Sequence, residues 1–381
     1  MKTLLRRICI LILLIMCVGE AVIYFSRAEA IDTTSPALSG VDCSASGMAM
    51  IELNSGRLIA QKSKDKRLPM ASTTKIVTAI TVIENCDNLD KVVTIPNEAV
   101  GVEGSSIYLQ HNEQLKIIDL LYGLMLQSGN DCAVALAIIV GENVQNFANM
   151  MNELASKVGA NNSHFVNPHG LHDDDHYTTA YDLAKISAYA MNNEIFRQIV
   201  GTKTYKTPWK NHEYGRIIVN KNKILSFFPG GNGIKTGYTK KAGRCLVSSA
   251  ERDGKTIICV VLNCGPMFQE CARLMNLAFD SLVMGDIIKV GVPIARVEVI
   301  DGEQKFVYVG LESVASYPLT AEEARRLTTK IELPEMVYAP ISKGERIGKI
   351  HFYLNNQLIF SEDLFTIESV ETQQRWEIVN E

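Results

Sequence analysis

Apolar and polar positions divide the chain into stretches of different period. Residues 76–83 are apolar apart from two threonines, too continuous for a one-sided pattern, and predict a helix buried all round. Ahead of it, residues 47–53 and 57–61 flank Asn54-Ser55-Gly56 and read as two strands around a tight turn. A polar stretch, 62–68, leads into the helix. Residues 115–127 predict another helix, amphipathic or buried, that stops at Ser128-Gly129-Asn130. Further helices are predicted over 131–140, 144–158 and 179–192. Residues 217–228 are mixed, 229–233 form a glycine-rich loop, and 234–238 begin a strand. Strands at 244–250 and 256–263 are joined by Glu251-Arg252-Asp253-Gly254, a hairpin signal, and 269–283 is helical. Strands open and close this part of the chain while helices fill its middle. The pattern implies a sheet that joins the two ends of the segment and is flanked by helices.

After Met284-Gly285-Asp286 the texture changes. Short alternating runs follow at 295–300, 306–309, 330–333, 346–353 and 357–360, separated by turn residues such as Asp301-Gly302 and Asn355-Asn356. They predict a small antiparallel β domain, with a boundary near residue 284. The length, 381 residues, also suggests two domains.

Composition narrows the function classes. A charged fraction of 21% and a formal net charge of -4, without basic blocks interleaved with aromatics, argue against a nucleic-acid binder. The start of the chain reads as a signal peptide spanning 1–30. Lys2, Arg6 and Arg7 precede an apolar run over 8–18, and Ala28-Glu29-Ala30 offers the small residues of a cleavage site. The alternative is an uncleaved anchor running to Phe25, against which Glu20 stands. On either reading the remainder is exported. Of the nine cysteines, Cys9 and Cys17 leave with that segment. Cys43, Cys86, Cys132, Cys245, Cys259, Cys264 and Cys271 remain, an odd number with no Cys-x-x-Cys pair. A zinc site is not expected, and there is room for one disulfide without an indication of which.

Candidate chemistry lies at the head of the buried helix, in Pro69-Met70-Ala71-Ser72-Thr73-Thr74-Lys75. Ser72 and Lys75 are three apart, so on a helix they share a face. A lysine held in a dry pocket loses its proton more easily and can act as a base for the serine. Ser-x-x-Lys alone occurs by chance, and its companions decide. Ser128-Gly129-Asn130 presents a hydroxyl and a carboxamide from a turn between helices. Lys235-Thr236-Gly237 sets a cation, a hydroxyl and a bare backbone in a row at a strand start.

These three motifs, in this order and context, occur together in penicillin-binding proteins and class A β-lactamases. The chain resembles the penicillin-recognising serine enzymes, and among them the low-molecular-mass D-alanyl-D-alanine carboxypeptidases of the peptidase S11 type. Gly233-Ile234-Lys235-Thr236-Gly237-Tyr238-Thr239, Asn167-Pro168-His169-Gly170-Leu171 and Tyr177-Thr178-Thr179-Ala180 extend the likeness to residues 40–370. The resemblance implies an α+β fold: a β-lactamase/transpeptidase-like domain with an antiparallel sheet flanked by helices over 31–284 and an all-β domain over 285–370; the residues themselves add an acidic tail over 371–381. It implies Ser72 as nucleophile, neutral Lys75 as base, and Ser128 as proton relay to the leaving amine. Asn130 would hold the substrate amide. Lys235 and Thr236 would bind the terminal carboxylate beside Gly237, and the N–H groups of Ser72 and Tyr238 would form the oxyanion hole. The substrate implied is a peptidoglycan stem peptide ending in D-Ala-D-Ala, with β-lactams as covalent inhibitors and neither cofactor nor metal.

Several features depart from that pattern or compete with it. Asn232 stands where relatives often carry Asp. Relatives often end in a basic amphipathic helix, whereas Glu362, Asp363, Glu368, Glu371, Glu377 and Glu381 dominate this tail, with Arg375 and Trp376, and no C-terminal membrane anchor is expected. His164, His169, His172 and His176 cluster near Asp173-Asp174-Asp175, but in a turn-rich loop rather than at helical metal-ligand spacing. Cys132 is expected to pack at a helix start. The rival enzyme reading is a β-lactamase, whose Glu-x-x-Leu-Asn signature is absent between Asn130 and Lys235. Transpeptidation is a second, and a non-catalytic cell-wall-binding protein on the same fold is a third.

Overall fold

The computed structural model describes residues 36–313 and 315–374. The expected signal segment and the end of the tail, with Arg375, Trp376, Glu377 and Glu381, lie outside the described residues. The chain divides into two units, one from the stretch up to Gly285 with Tyr317–Glu322, the other from Asp286–Ser316 and the chain from Glu323 onward.

In the first unit five antiparallel strands lie in the spatial order Leu58–Lys62, Gly47–Glu52, Lys255–Leu262, Gly243–Arg252 and Gly231–Thr239. The amino-terminal hairpin pairs with the last strand of the unit, Met50 opposite Cys259, as the strand–helix–strand pattern implies. Strand residues alternate between two cores. Ala49, Ile51, Val247, Ile258 and Val260 face the core that contains Ile76, Val77 and Ile80 of the helix Lys75–Glu84. Met48, Met50, Leu246, Ile257 and Val261 face the core built on Leu274, Met275 and Ala278 of the helix Met267–Ser281. Burial on both faces explains why these strands are continuous apolar runs. All seven described cysteines are free thiols, and Cys43, Cys259, Cys264 and Cys271 lie in the second core as small apolar groups.

Three boundaries differ from the sequence reading. The Ser72 segment is not α-helical: Ala71–Thr74 is a tighter 3-10 turn that runs into the helix Lys75–Glu84. At three residues per turn it sets Ser72 and Lys75 almost directly in line, which an α-helix does less well. Residues 115–127 are three pieces: a strand Gln114–Lys116, a helix Ile117–Tyr122 and a π-helical turn Gly123–Gln127. A Cβ on Gly123 would come within 2.6 Å of Cys132 Sγ, so the widened turn lets two helices approach there. The edge strand begins at Gly231, inside the expected loop. The sequence reading also missed the helix Glu194–Gly201 and two short hairpins, Val92–Thr94 with Gln114–Lys116 and Thr204–Thr207 with Arg216–Val219.

The second unit holds a six-stranded sheet in the order Leu327–Glu332, Arg346–Leu354, Gln357–Thr366, Phe306–Gly310, Ala295–Ile300, Met336–Tyr338. It departs from a purely antiparallel sheet in one place, where Ala295–Ile300 and Met336–Tyr338 run parallel, Glu298 opposite Met336. Among the described residues no helix is long and apolar enough to cross a membrane.

The hairpin Thr204–Thr207/Arg216–Val219 is tied to the loop before residue 114 by a buried two-pronged ion pair. Arg216 Nη1 and Nη2 donate to Glu113 Oε1 and Oε2 at 2.7 and 2.8 Å. Removing one partner strands a buried charge, so Arg216→Ala is expected to lower the unfolding free energy by about 3–5 kcal/mol, read as a shift in urea midpoint. A shift within error would show that the pair contributes nothing.

Candidate active site

Ser72 and Lys75 are brought together by an unusual stretch of backbone. Ala71, preceding the serine, is 1% exposed and takes a φ of 51°, in the left-handed region. The loop Asn167-Pro168-His169-Gly170-Leu171 lies across it, so close that a Cβ on Gly170 would sit 2.0 Å from Ala71 O. Gly170 itself has a φ of +85°, so glycine is required there twice over. Asn167 Oδ1 shapes that loop by accepting from His169 N and Gly170 N at 3.3 and 2.7 Å.

The geometry of Lys75 defines its chemistry. The side chain is fully buried, and Nζ lies 2.9 Å from Ser72 Oγ, 2.7 Å from Asn130 Oδ1 and 2.6 Å from His169 O. Two of these neighbours are carbonyl oxygens, which can only accept. A neutral amine has two N–H groups for them and one lone pair left, and that lone pair faces the serine hydroxyl. Burial, and then the charge of Lys235, pushes the Lys75 ammonium well below the usual lysine value, so the neutral form is favoured. Among the described residues no carboxylate forms an ion pair with it.

Asn130 opens the helix Asn130–Gly141, and its carboxamide orientation is fixed at both ends. Oδ1 accepts from Lys75, and Nδ2 donates to Glu103 O at 2.5 Å. Its backbone N–H donates to Ser105 O at 2.6 Å. Asp131, next in sequence and 1% exposed, accepts from Ser106 Oγ, Ile107 N and Leu109 N, which fastens the segment 105–109 to the head of the helix. Ser128 sits in the turn before that helix at a φ of 67°, 5% exposed. Among the described residues its hydroxyl makes no hydrogen bond, so of this motif only Asn130 is joined to Lys75.

Lys235, Thr236, Gly237 and Tyr238 lie on the edge strand Gly231–Thr239. The strand passes the Ser72 turn closely: a Cβ on Gly237 would be 3.0 Å from Ser72 N and Met70 O. Lys235 is 1% exposed, and among the described residues its Nζ reaches only Thr236 O, at 3.1 Å. Burial, and then the charge of Lys221, pushes its ammonium down to about 7. Thr236 is half-buried and Tyr238 is exposed. Lys221 is the residue the sequence reading missed. Exposed, with Nζ 3.4 Å from Ser105 Oγ, it adds positive charge to the surroundings of Lys75 and Lys235. It lies in no motif, so nothing in one sequence marks it. Lys221 and Lys235 thus set positive charge near the Ser72 turn without a paired carboxylate among the described residues, a field suited to an anionic group.

The histidines are structural contacts. His176 Nε2 lies 2.8 Å from Thr74 Oγ1, which itself donates to Ala71 O, so Nε2 carries the hydrogen. Nδ1 accepts from Val166 N at 3.1 Å. His169 Nδ1 accepts from Leu171 N at 3.1 Å. No group of three metal-ligating side chains occurs among the described residues. Cys132 is wholly buried, and burial pushes its thiol well above the usual range, which keeps it protonated. Asn232 Oδ1 is buried without a hydrogen-bond partner among the described residues.

Comparison with known proteins gives one answer for each unit. The family model described as D-alanyl-D-alanine carboxypeptidase (peptidase S11) matches residues 32–265, and that of the penicillin-binding protein 5 C-terminal domain matches 284–372. The D-alanyl-D-alanine carboxypeptidase DacF of Bacillus subtilis is 30% identical over 316 residues, 80% of each chain. The D-alanyl-D-alanine carboxypeptidase of Streptomyces K15 is 35% identical over 264 residues, 65% of this chain and 89% of its own. Among solved structures, penicillin binding protein 5 from Haemophilus influenzae superimposes with a TM-score of 0.72 at 27% identity, covering 88% of this chain and 99% of its own. A DD-transpeptidase from Streptomyces K15 does so with a TM-score of 0.60 at 35% identity, covering 63% and 99%.

Burial lowers His176 from 6.5 to about 3 and His169 to about 4. As pH falls below 6.5 the unfolded chain takes up these protons first, so stability is lost towards about 3. The denaturant midpoint is expected to fall with acid, and less steeply in His176→Gln. Equal slopes would remove His176 from the account.

Proposed function

Since the chain belongs to the D-alanyl-D-alanine carboxypeptidase family, peptidase S11, we propose that this serine hydrolase removes the terminal D-alanine from peptidoglycan stem peptides through an ester on Ser72. The observation that carries the reading is Lys75: a buried amine whose Nζ lies within hydrogen-bond distance of the Ser72 hydroxyl and of two carbonyl oxygens, with no carboxylate paired to it among the described residues. Lys75 takes the Ser72 proton as Oγ attacks the carbonyl of the penultimate D-alanine. The N–H groups of Ser72 and Tyr238 receive the oxyanion, each such donor contributing about a hundredfold or more in rate. The released D-alanine amine takes a proton through Ser128, and water then cleaves the ester. Asn130 aligns the scissile amide. Lys235 and Thr236 hold the terminal carboxylate, with Lys221 adding charge behind them. A fixed cation at that end restricts the enzyme to free C-termini.

β-Lactams acylate Ser72 in the same way, as penicillin-binding relatives are named for. The domain division, catalytic to residue 284 and β-rich over 285–370, is supported by family models that end at 265 and resume at 284. The protein acts outside the cytoplasm, where its substrate lies, after export through the basic and apolar segment at 1–30. A second reading, transfer of the acyl group to an amine instead of water, is favoured by the likeness to the K15 DD-transpeptidase.

Ser72→Ala is expected to abolish D-alanine release from a diacyl-Lys-D-Ala-D-Ala peptide, and mass spectrometry after penicillin should locate the adduct on Ser72. Release that persists in the variant would overturn the assignment. Lys235 acts charged, so kcat/KM should fall as pH rises through about 7 in the free enzyme, chiefly through KM. Lys235→Ala should raise KM at all pH values, and efficient turnover by that variant would remove Lys235 from carboxylate binding.

A further inference from the structure

The segment 103–109 presents one side chain in an unexpected way. Ile107 and Leu109 are each 4% exposed, while Tyr108 between them is 73% exposed. Tyr108 has a φ of 63°, which a bulky residue rarely adopts. Its backbone is pinned at both ends: the N–H donates to Ser106 Oγ at 2.8 Å, and the carbonyl accepts from Arg216 Nη2 at 3.0 Å. Asp131 holds Ser106 Oγ and the N–H groups on either side, and Glu113 holds Arg216. Buried ionic groups thus maintain a strained backbone whose ring, largely exposed, makes no aromatic or cation contact among the described residues. Such strain persists where surrounding structure over-determines it, and it points to use.

The same segment borders the Ser72 pocket. Glu103 O and Ser105 O hold Asn130, and Ser105 Oγ is 3.4 Å from Lys221 Nζ. The side chain of Glu103 is exposed and in no ion pair among the described residues. Lys221 and Lys235 make the rest of the pocket positive, so a cationic group on the substrate is better placed at a wall with a carboxylate or an aromatic face. Tyr108 and Glu103, both exposed and five residues apart on the bordering segment, carry these two kinds of group.

We infer that Tyr108 and Glu103 form a subsite for the positively charged side chain of the residue that precedes D-Ala-D-Ala, a diamino acid with a free terminal ammonium. The carboxylate of the peptide meets the lysines, and its ammonium meets the ring face and the carboxylate of this wall. The inference rests on the reading of the site given above.

The test compares kcat/KM of the full chain for Nα-acetyl-Lys-D-Ala-D-Ala, whose ε-ammonium is free, and for the Nα,Nε-diacetyl peptide. Native protein is expected to prefer the free amine by about tenfold, and Tyr108→Ala to cut the ratio to about threefold or less. Tyr108→Phe, which keeps the ring, should retain most of the preference, while Glu103→Gln should lose part of it and flatten its salt dependence. No preference in native protein, or the same ratio in Tyr108→Ala, overturns the subsite. Penicillin labelling of native protein separates the two levels: no adduct removes the proposed function itself, whereas an adduct with an unchanged ratio removes only this wall.

Discussion

A lysine taken wholly out of water must find a counter-charge or give up its proton. Among the described residues Lys75 forms no ion pair and is surrounded instead by two carbonyl oxygens and a hydroxyl. The rest of the catalytic unit can be read as the means of imposing that condition. The helix that carries Lys75 is buried on every side, which removes water from the amine. The loop crossing at Gly170 seals the pocket and delivers the His169 carbonyl. The helix head at Asn130 delivers the other acceptor, and its own geometry is held by Glu103, Ser105 and Asp131.

The same constraint explains where the fold departs from regular geometry. Ala71 and Ser128 take left-handed backbone conformations on the two segments that meet at Lys75, and the chain between Tyr122 and Asn130 widens into a π-turn. Each departure costs free energy, and each lies beside the pocket rather than in the sheet. The sheet supplies rigidity: its edge strand passes the Ser72 turn so closely that only a residue without a side chain fits easily at 237.

Much of this was legible in the sequence. The five strands of the sheet and the long helices appear as period and continuity of apolar residues, because burial on two faces leaves little else at those positions. Ser72, Lys75, Asn130 and Lys235 were legible because three short motifs recur in a fixed order. What escaped was set by contacts across the chain. The 3-10 turn under Ser72 depends on the loop 167–171 lying over Ala71, and the helix break after Tyr122 on the close approach of Cys132. Lys221 becomes part of the pocket only through its distance to Ser105. The parallel pairing of Ala295–Ile300 with Met336–Tyr338 joins strands far apart in sequence, which alternation alone does not reveal.

The central claim concerns one proton, and NMR can observe it. Titration of the Lys75 side chain by its 13Cε and 15Nζ shifts, assigned with Lys75→Arg, should show an amine that loses its charge well below the ordinary 10.5. A resonance that stays ammonium up to 10.5 or beyond would contradict the account, because Ser72 would then face a proton donor instead of a base.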